Sequence, residues 1–295
     1  MNVLWVFAHP EPRSLGGALR DDGLRTLREL GHDVRESDLY AMKWNPVVDA
    51  ADFGAEAGDE RLVVGATSAR AYAGGELSPD IVAEHEKLAW ADAVIVQFPL
   101  WWYGMPAILK GWFDRVFVKG FGYGVRAEDG RTLRYGDGVL AGKRAMVVLS
   151  AGAREPALGP RGINGPLNDI LFPLHHGTLF YAGMSVLPPV AVYGADRVSP
   201  KQVAESRDLL RTRLRALETA EPLPFRTQNS GDYDDDLVLR PTHAPGATGL
   251  AIHLARAAAK RAGAGEGLGA PGGAAKRAMS GADPGHRPPG GLRPW

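Results

Sequence analysis

The sequence contains no cysteine, no apolar run long enough to span a membrane and no net charge. The first absence excludes disulfides, thiolate metal sites and a cysteine nucleophile. The second excludes a spanning helix, which needs roughly 18–20 consecutive apolar residues. No Gly-x-Ser-x-Gly or comparable nucleophile motif occurs either. The zero charge is a sum of unlike parts. Residues 245–295 carry seven Lys/Arg against Glu266 and Asp283, a net +5, which leaves residues 1–244 at −5. Gly, Ala and Pro supply 31 of those last 51 residues, so a mildly acidic body is joined to a basic, low-complexity tail.

The body alternates two hydrophobic periods. Val3–Ala8 is a short continuous apolar run, as expected of a strand buried on both faces. It meets His9-Pro10 too soon, and lacks the basic flank, for a signal peptide; the expectation is a cytoplasmic protein. Leu15–Leu30 then repeats leucine at helical spacing, with Ser14 as N-cap and Gly31 as the stop. Strands are expected again at Asp33–Leu39, Ala93–Phe98, Arg144–Ser150 and Val186–Tyr193, the second less apolar and nearer an edge. Helices are expected from Ser78-Pro79 to about Ala91, over Ala107–Phe117 and Leu167–Phe180, and from Ser199-Pro200 to about Ala220. Five strands, each followed by a helix, give an α/β doubly wound parallel sheet. Lys43–Leu77 and the Gly-rich, aromatic Lys119–Gly142 read as long loops, which in such domains are functional or make oligomer contacts.

Ligands of an open parallel sheet bind beyond the carboxyl ends of its strands. The loop after the first strand, His9 to Gly17, enters a helix with free N–H groups; it reads as an anion cradle or as an ordinary capped turn. It is neither GxGxxG nor a P-loop. The loop after the third strand places Trp101, Trp102 and Tyr103 where the chain reverses, so they form a ligand wall or a dimer contact. Backbone amides of Leu100, Trp101 and Trp102 are candidate donors to ring heteroatoms. Ser150-Ala151-Gly152 lets a ring edge approach the backbone. His175-His176 reads as a core or surface pair rather than a metal site, and Asp232–Asp236 as a solvated acidic turn. No metal is expected.

At these loops the chain resembles the NAD(P)H:quinone oxidoreductases of the flavodoxin-like fold, the DT-diaphorase family, which includes bacterial quinone reductases and ancillary flavoproteins of potassium efflux. The likeness rests on Val6–Pro10, on Glu36–Met42 with Asn45-Pro46, on Leu77–Glu84, on Arg161–Gly165 and most of all on Gln97–Val116. It spans about residues 2–220. The resemblance implies a homodimer with one FAD per subunit, FMN in some branches, and NAD(P)H as co-substrate. It implies that His9, Ser14, Leu15 and Ala18 hold the flavin phosphates and ribityl chain. Pro99, Leu100, Trp101, Trp102 and Tyr103 would then line the isoalloxazine, and Ser150, Ala151 and Gly152 border its pyrimidine edge. Tyr123 and Tyr181 would close the partner's substrate pocket. One departure matters: the family's Tyr and His beside the flavin correspond here to Leu158 and Asn164. Asn164 donates a hydrogen bond but takes up no proton near neutral pH. Asn168 and the His175-His176 pair are further sources of such contacts.

The resulting expectation is hydride transfer from NAD(P)H through flavin N5 to a quinone or similar flat electrophile, with ping-pong kinetics. The rivals are a flavoprotein regulatory subunit of a membrane transporter and a tailoring reductase for one aromatic metabolite. Three segments follow: a flavin-binding domain over 1–220, an irregular arm over 221–255 and a disordered tail over 256–295. The tail's charge suits nucleic acid or an anionic surface, but it has no aromatic residue before Trp295, so no nucleic-acid partner is expected.

Overall fold

The strands of the computed structural model, which describes residues 1–54 and 61–255, are β1 (Asn2–Phe7), β2 (Asp33–Asp38), β3 (Ala93–Pro99), β4 (Arg144–Ala151), β5 (Ser185–Val186) and β6 (Val190–Tyr193). All pairings are parallel, in the order β2-β1-β3-β4, with β5 and β6 both on the outer side of β4. The fifth expected strand is therefore two short pieces. Leu187 still donates to Ala145 O at 2.7 Å, and then Pro188-Pro189 offers no N–H to the ladder. Pairing resumes at Val190. β2 forms one edge of the sheet, as its weaker apolar character implies.

The helices are α1 (Leu15–Glu29), α2 (Val64–Gly74), α3 (Pro79–Trp90), α4 (Ala107–Val116), α5 (Leu167–Leu174) and α6 (Pro200–Arg215). Alternate residues of β1 feed opposite faces. Val3, Trp5 and Phe7 pack with Leu19 and Leu27 of α1 and Leu210 and Leu214 of α6. Leu4 and Val6 pack with Ile81 of α3, Trp112 of α4 and Leu171 of α5. That period of two gives a sheet covered on both sides.

Two expectations needed correction. Lys43–Leu77 is not a bare loop: it holds a 3₁₀ turn at Ala50–Phe53 and the helix α2. Only Ser68 and Ala71 of α2 are buried, so the helix leaves no apolar period to read. Leu167–Phe180 is α-helical only to Leu174 and continues as a π-helical segment, His175–Phe180. Pro173 lies inside α5 without an amide hydrogen, and Thr178 Oγ1 donates to Pro173 O at 3.0 Å.

Several of the stretches that carried the resemblance meet behind the sheet as a polar lattice. Glu84 is fully buried and accepts from Ser37 Oγ (2.8 Å), Trp112 Nε1 (2.8 Å) and Lys87 Nζ (2.6 Å). Arg115 binds Asp52 through Nε and Nη2, donates to Asp80 Oδ2 at 2.7 Å and lies 4.6 Å over the Trp44 ring. Buried charges hold only when paired and hydrogen-bonded in this way. A Cβ on Gly111 would stand 2.1 Å from Pro46 O, so α4 approaches the Asn45-Pro46 turn only with glycine there.

After α6 the chain folds back. Leu223 N donates to Val186 O at 2.7 Å, Phe225 bridges Leu254, and Gln228 N donates to Tyr135 O at 3.2 Å. The expected tail, 256–295, lies outside the described residues.

Candidate active site

β1 and β3 are neighbours in the sheet, yet their following helices lie on opposite faces, α1 on one and α4 on the other. This switch of direction opens a crevice at the carboxyl ends of the strands. The crevice, about 710 Å³, is lined by His9, Ser14 and Leu15 from the first loop, by Pro99 to Trp102 from the third strand's loop, and by Ser150 and Gly152. Three loops spread along the chain from His9 to Gly152 thus converge.

Each loop is braced. Gln97 accepts from Trp5 Nε1 at 2.9 Å and donates to Gly16 O at 2.7 Å, tying β1, β3 and the first turn of α1 together. Ser14 caps α1 by accepting from Gly17 N, and a Cβ on Gly17 would collide with Pro12 O at 1.8 Å. The first turn of α1 carries no acidic residue, so its positive end faces the crevice uncompensated. His9 Nδ1 accepts from Glu11 N at 3.0 Å, which puts the proton of the neutral ring on Nε2 as a donor. Burial holds His9 below its ordinary pKa. Its ring lies 6.3 Å from that of Trp101.

The aromatic loop is a tight reversal. Trp101 and Gly104 exchange backbone hydrogen bonds at 3.0 Å, while Trp102 (φ 49°) and Tyr103 (φ 59°) occupy the left-handed region. Bulky side chains are rare there, at a cost of about 1–3 kcal/mol each. The result is a Trp102 that is 97% exposed. The expected donors are fewer than the sequence implied. Leu100 N donates to Ser150 O at 2.8 Å, and Trp101 N is engaged with Pro99 O and Gly104 O. Among the described residues, the Trp102 and Tyr103 amides are the ones left free in this loop.

Several expected site residues sit elsewhere. Ala18 lies one turn into α1, with its amide bonded to Ser14 O, and off the crevice lining. Ala151 is buried in the core because consecutive β4 residues face opposite ways. Tyr103 and Asn164 both lie outside the lining, with the Tyr103 hydroxyl donating to Asn164 Oδ1 at 2.9 Å. Leu158 is buried in the core. Asn168 is exposed, and the His175-His176 pair is buried away from the crevice. Tyr123 and Tyr181, expected to close a partner's pocket rather than their own, line a separate hollow of about 420 Å³ with Met105, Phe113, Phe117 and Leu174. That hollow shares no lining residue with the crevice. Gly16, within the expected His9–Gly17 loop, also lines it, and sequence reading missed Ala195 and Asp196, which complete the lining. The last two follow β6, whose end was legible, but nothing in Gly194-Ala195-Asp196 marks ligand contact.

Residues 1–217 match the flavodoxin-like fold family. Over 257 residues the chain is 46% identical to ribosyldihydronicotinamide dehydrogenase-like protein traD of Penicillium crustosum, covering 86% of this chain and 95% of that one. Over 233 residues it is 39% identical to NAD(P)H dehydrogenase (quinone) 1 of Cavia porcellus, covering 79% and 82%. The chain belongs to the NAD(P)H:quinone oxidoreductase family. A crystal structure from Klebsiella pneumoniae, described as a candidate quinone reductase, superposes with a TM-score of 0.83 at 52% identity, covering 86% of this chain and all of that one. The NAD(P)H:quinone oxidoreductase of Methanothermobacter marburgensis gives a TM-score of 0.60 at 26% identity, over 75% and 98%. The expected family and flavodoxin-like α/β fold are both shown, and no described helix is long and apolar enough to cross a membrane.

Proposed function

We propose that this family member is a flavin-dependent NAD(P)H oxidoreductase that passes two electrons to a quinone or similar flat electrophile, working as a homodimer. The observation that carries the reading is that the Trp101–Trp102 wall, Ser150 and Gly152, and the open end of α1 line one crevice at the β1/β3 switch point. A flat ring system fits the wall, and a phosphate fits the uncompensated helix end with His9 Nε2 beside it. When bound, the flavin supplies the hydride relay, a chemistry that needs no protein acid.

The chain's own residues orient and exclude. Trp101 and Trp102 offer an apolar face, and the Trp102 amide is a free donor toward the ring edge. Asn164 Oδ1 is taken by Tyr103, which leaves Nδ2 as a donor for negative charge developing nearby. NAD(P)H and acceptor would use one face in turn, which predicts ping-pong kinetics.

FAD is favoured over FMN by a second hollow of about 730 Å³ that shares Gly152 and Asp196 with the crevice and runs past Tyr193 to Gln202 and Ser206. It has room for a second nucleotide half. The dimer is supported by the Tyr123–Tyr181 hollow, whose apolar walls suit a face that closes over a partner's crevice. Heat release of the bound cofactor with identification by mass tests the proposal, together with sedimentation of the native protein. FAD and a dimer are expected; a colourless protein that takes up neither FAD nor FMN overturns it.

A further inference from the structure

Between the returning arm and the π-helical segment lies a cavity of about 250 Å³ that shares no residue with the crevice. Its walls are the rings of Tyr135, Phe172, His176, Tyr233 and His253, with the Arg226 side chain among them. Local backbone builds it. The π segment turns His176 between two rings, Phe172 at 4.6 Å and 17° and Tyr135 at 4.9 Å and 30°. Tyr135 is held there by bonds to Tyr181 O (3.1 Å) and from Gln228 N (3.2 Å). Two lining residues, Tyr135 (φ 48°) and Leu237 (φ 62°), occupy the left-handed region although neither is glycine. Strain of this kind persists where the surrounding structure fixes it and tends to gather at ligand sites.

His176 is the informative member. It is only 8% exposed and lines the cavity, and its ring nitrogens are accessible and make no hydrogen bond to the described residues. Unlike Nε2 of His175, which is sealed in without a partner, the His176 nitrogens remain accessible to a small molecule. Burial pushes its pKa down to about 4, so at neutral pH the ring offers one acceptor nitrogen and one N–H donor. A hydroxyl matches either. Charge in the cavity is already balanced, because Arg226 pairs with Asp232 and donates through Nε to Ile252 O at 3.1 Å. Tyr233 Oη and His253 Nδ1 lie 2.9 Å apart and satisfy one another. The walls are aromatic and the size suffices: a dry cavity of roughly 150 Å³ holds a benzene ring.

We infer that this cavity is a binding site for a neutral monocyclic phenol, its ring packed among Tyr135, Phe172 and Tyr233 and its hydroxyl bonded to His176. Two-electron reduction of a quinone yields compounds of this class, so the site would hold product apart from the crevice. Binding itself requires no turnover and stands or falls independently of the proposed activity.

The test is isothermal titration of the full-length, cofactor-loaded protein with phenol and, separately, toluene. Phenol is expected to bind one site per chain about tenfold more tightly than toluene, the scale of one net hydrogen bond. His176→Phe keeps an aromatic ring in the stack and should reduce phenol to the affinity of toluene. Leu237→Trp, a change at an exposed position, should weaken both by filling the cavity, and it serves if the histidine variant fails to fold. Absence of phenol binding, equal affinity for phenol and toluene in the unaltered protein, or binding that both variants leave unchanged overturns the inference. So does phenol binding that shifts the flavin absorbance bands, which would place it in the crevice.

Discussion

The carboxamide of Gln97, on β3, donates to Gly16 O in the first turn of α1 at 2.7 Å while accepting from Trp5 Nε1 on β1. One buried side chain thereby fixes the spacing between the anion end of the crevice and its aromatic wall. Gln97→Leu keeps the bulk but strands both partners. A loss of about 2–4 kcal/mol is expected in urea unfolding, with a lower flavin-to-protein ratio. Unchanged values for both would show that the bridge positions nothing.

Trp102 combines near-complete exposure with a left-handed backbone. Trp102→Gly relieves that strain, so the flavin-free protein should gain about 1 kcal/mol in thermal unfolding. The same variant should retain flavin less well. A stability–function trade of this sign separates a ligand wall from a merely tolerated surface tryptophan.

Asn164 carries a free amide donor and is held by Tyr103 of the aromatic loop, off the crevice lining. Asn164→Ala should lower kcat by about tenfold or more with flavin content retained, in line with the loss of a donor to developing charge. Asn164→Asp should be worse than alanine, because it replaces the donor with a negative charge. Steady-state and single-turnover rates for the two variants check the order.

Arg115 and Asp52 are each about 4% exposed at their side chains and bind through two nitrogens. Asp52→Ala should cost about 3–5 kcal/mol, since it leaves a buried guanidinium undercompensated. The double change Asp52→Asn with Arg115→Met should recover part of that loss. Urea midpoints of the single and double variants measure the coupling.

His175 and His176 are both pushed down from 6.5 to about 4 by burial. The unfolded chain therefore binds protons that the folded chain refuses, so stability is full above about pH 6.5 and falls as pH drops toward 4. Linkage sets the scale at about 3 kcal/mol per histidine. Unfolding midpoints at pH 8 and pH 5 should show the loss, and His176→Phe should reduce the slope.

Much of the fold was legible because it rests on local chemistry. Val3–Ala8 and Ala93–Phe98 alternate nothing and so had to be buried on both faces, and Ser14 and Ser199 with Pro200 announced helix starts that the structure keeps. α2 was not legible, because a helix that buries only Ser68 and Ala71 writes no apolar stripe. Neither was the break at Pro188-Pro189, where an apolar run hides two residues unable to join a ladder. Within the site, the residue types at the strand ends were readable, whereas the direction each side chain takes was not.

By itself the sequence determined the parallel sheet, its helices and the three loops at its carboxyl end, since period, caps and breakers act over a few residues. Only the tertiary structure decided which of those loop residues face one another. It turned Ala151 into the core, spent the Leu100 and Trp101 amides, separated Tyr123 and Tyr181 from the crevice and buried His176. Those outcomes depend on strand register, on left-handed turns at Trp102 and Tyr135 and on contacts between residues far apart in the chain. No local pattern encodes them.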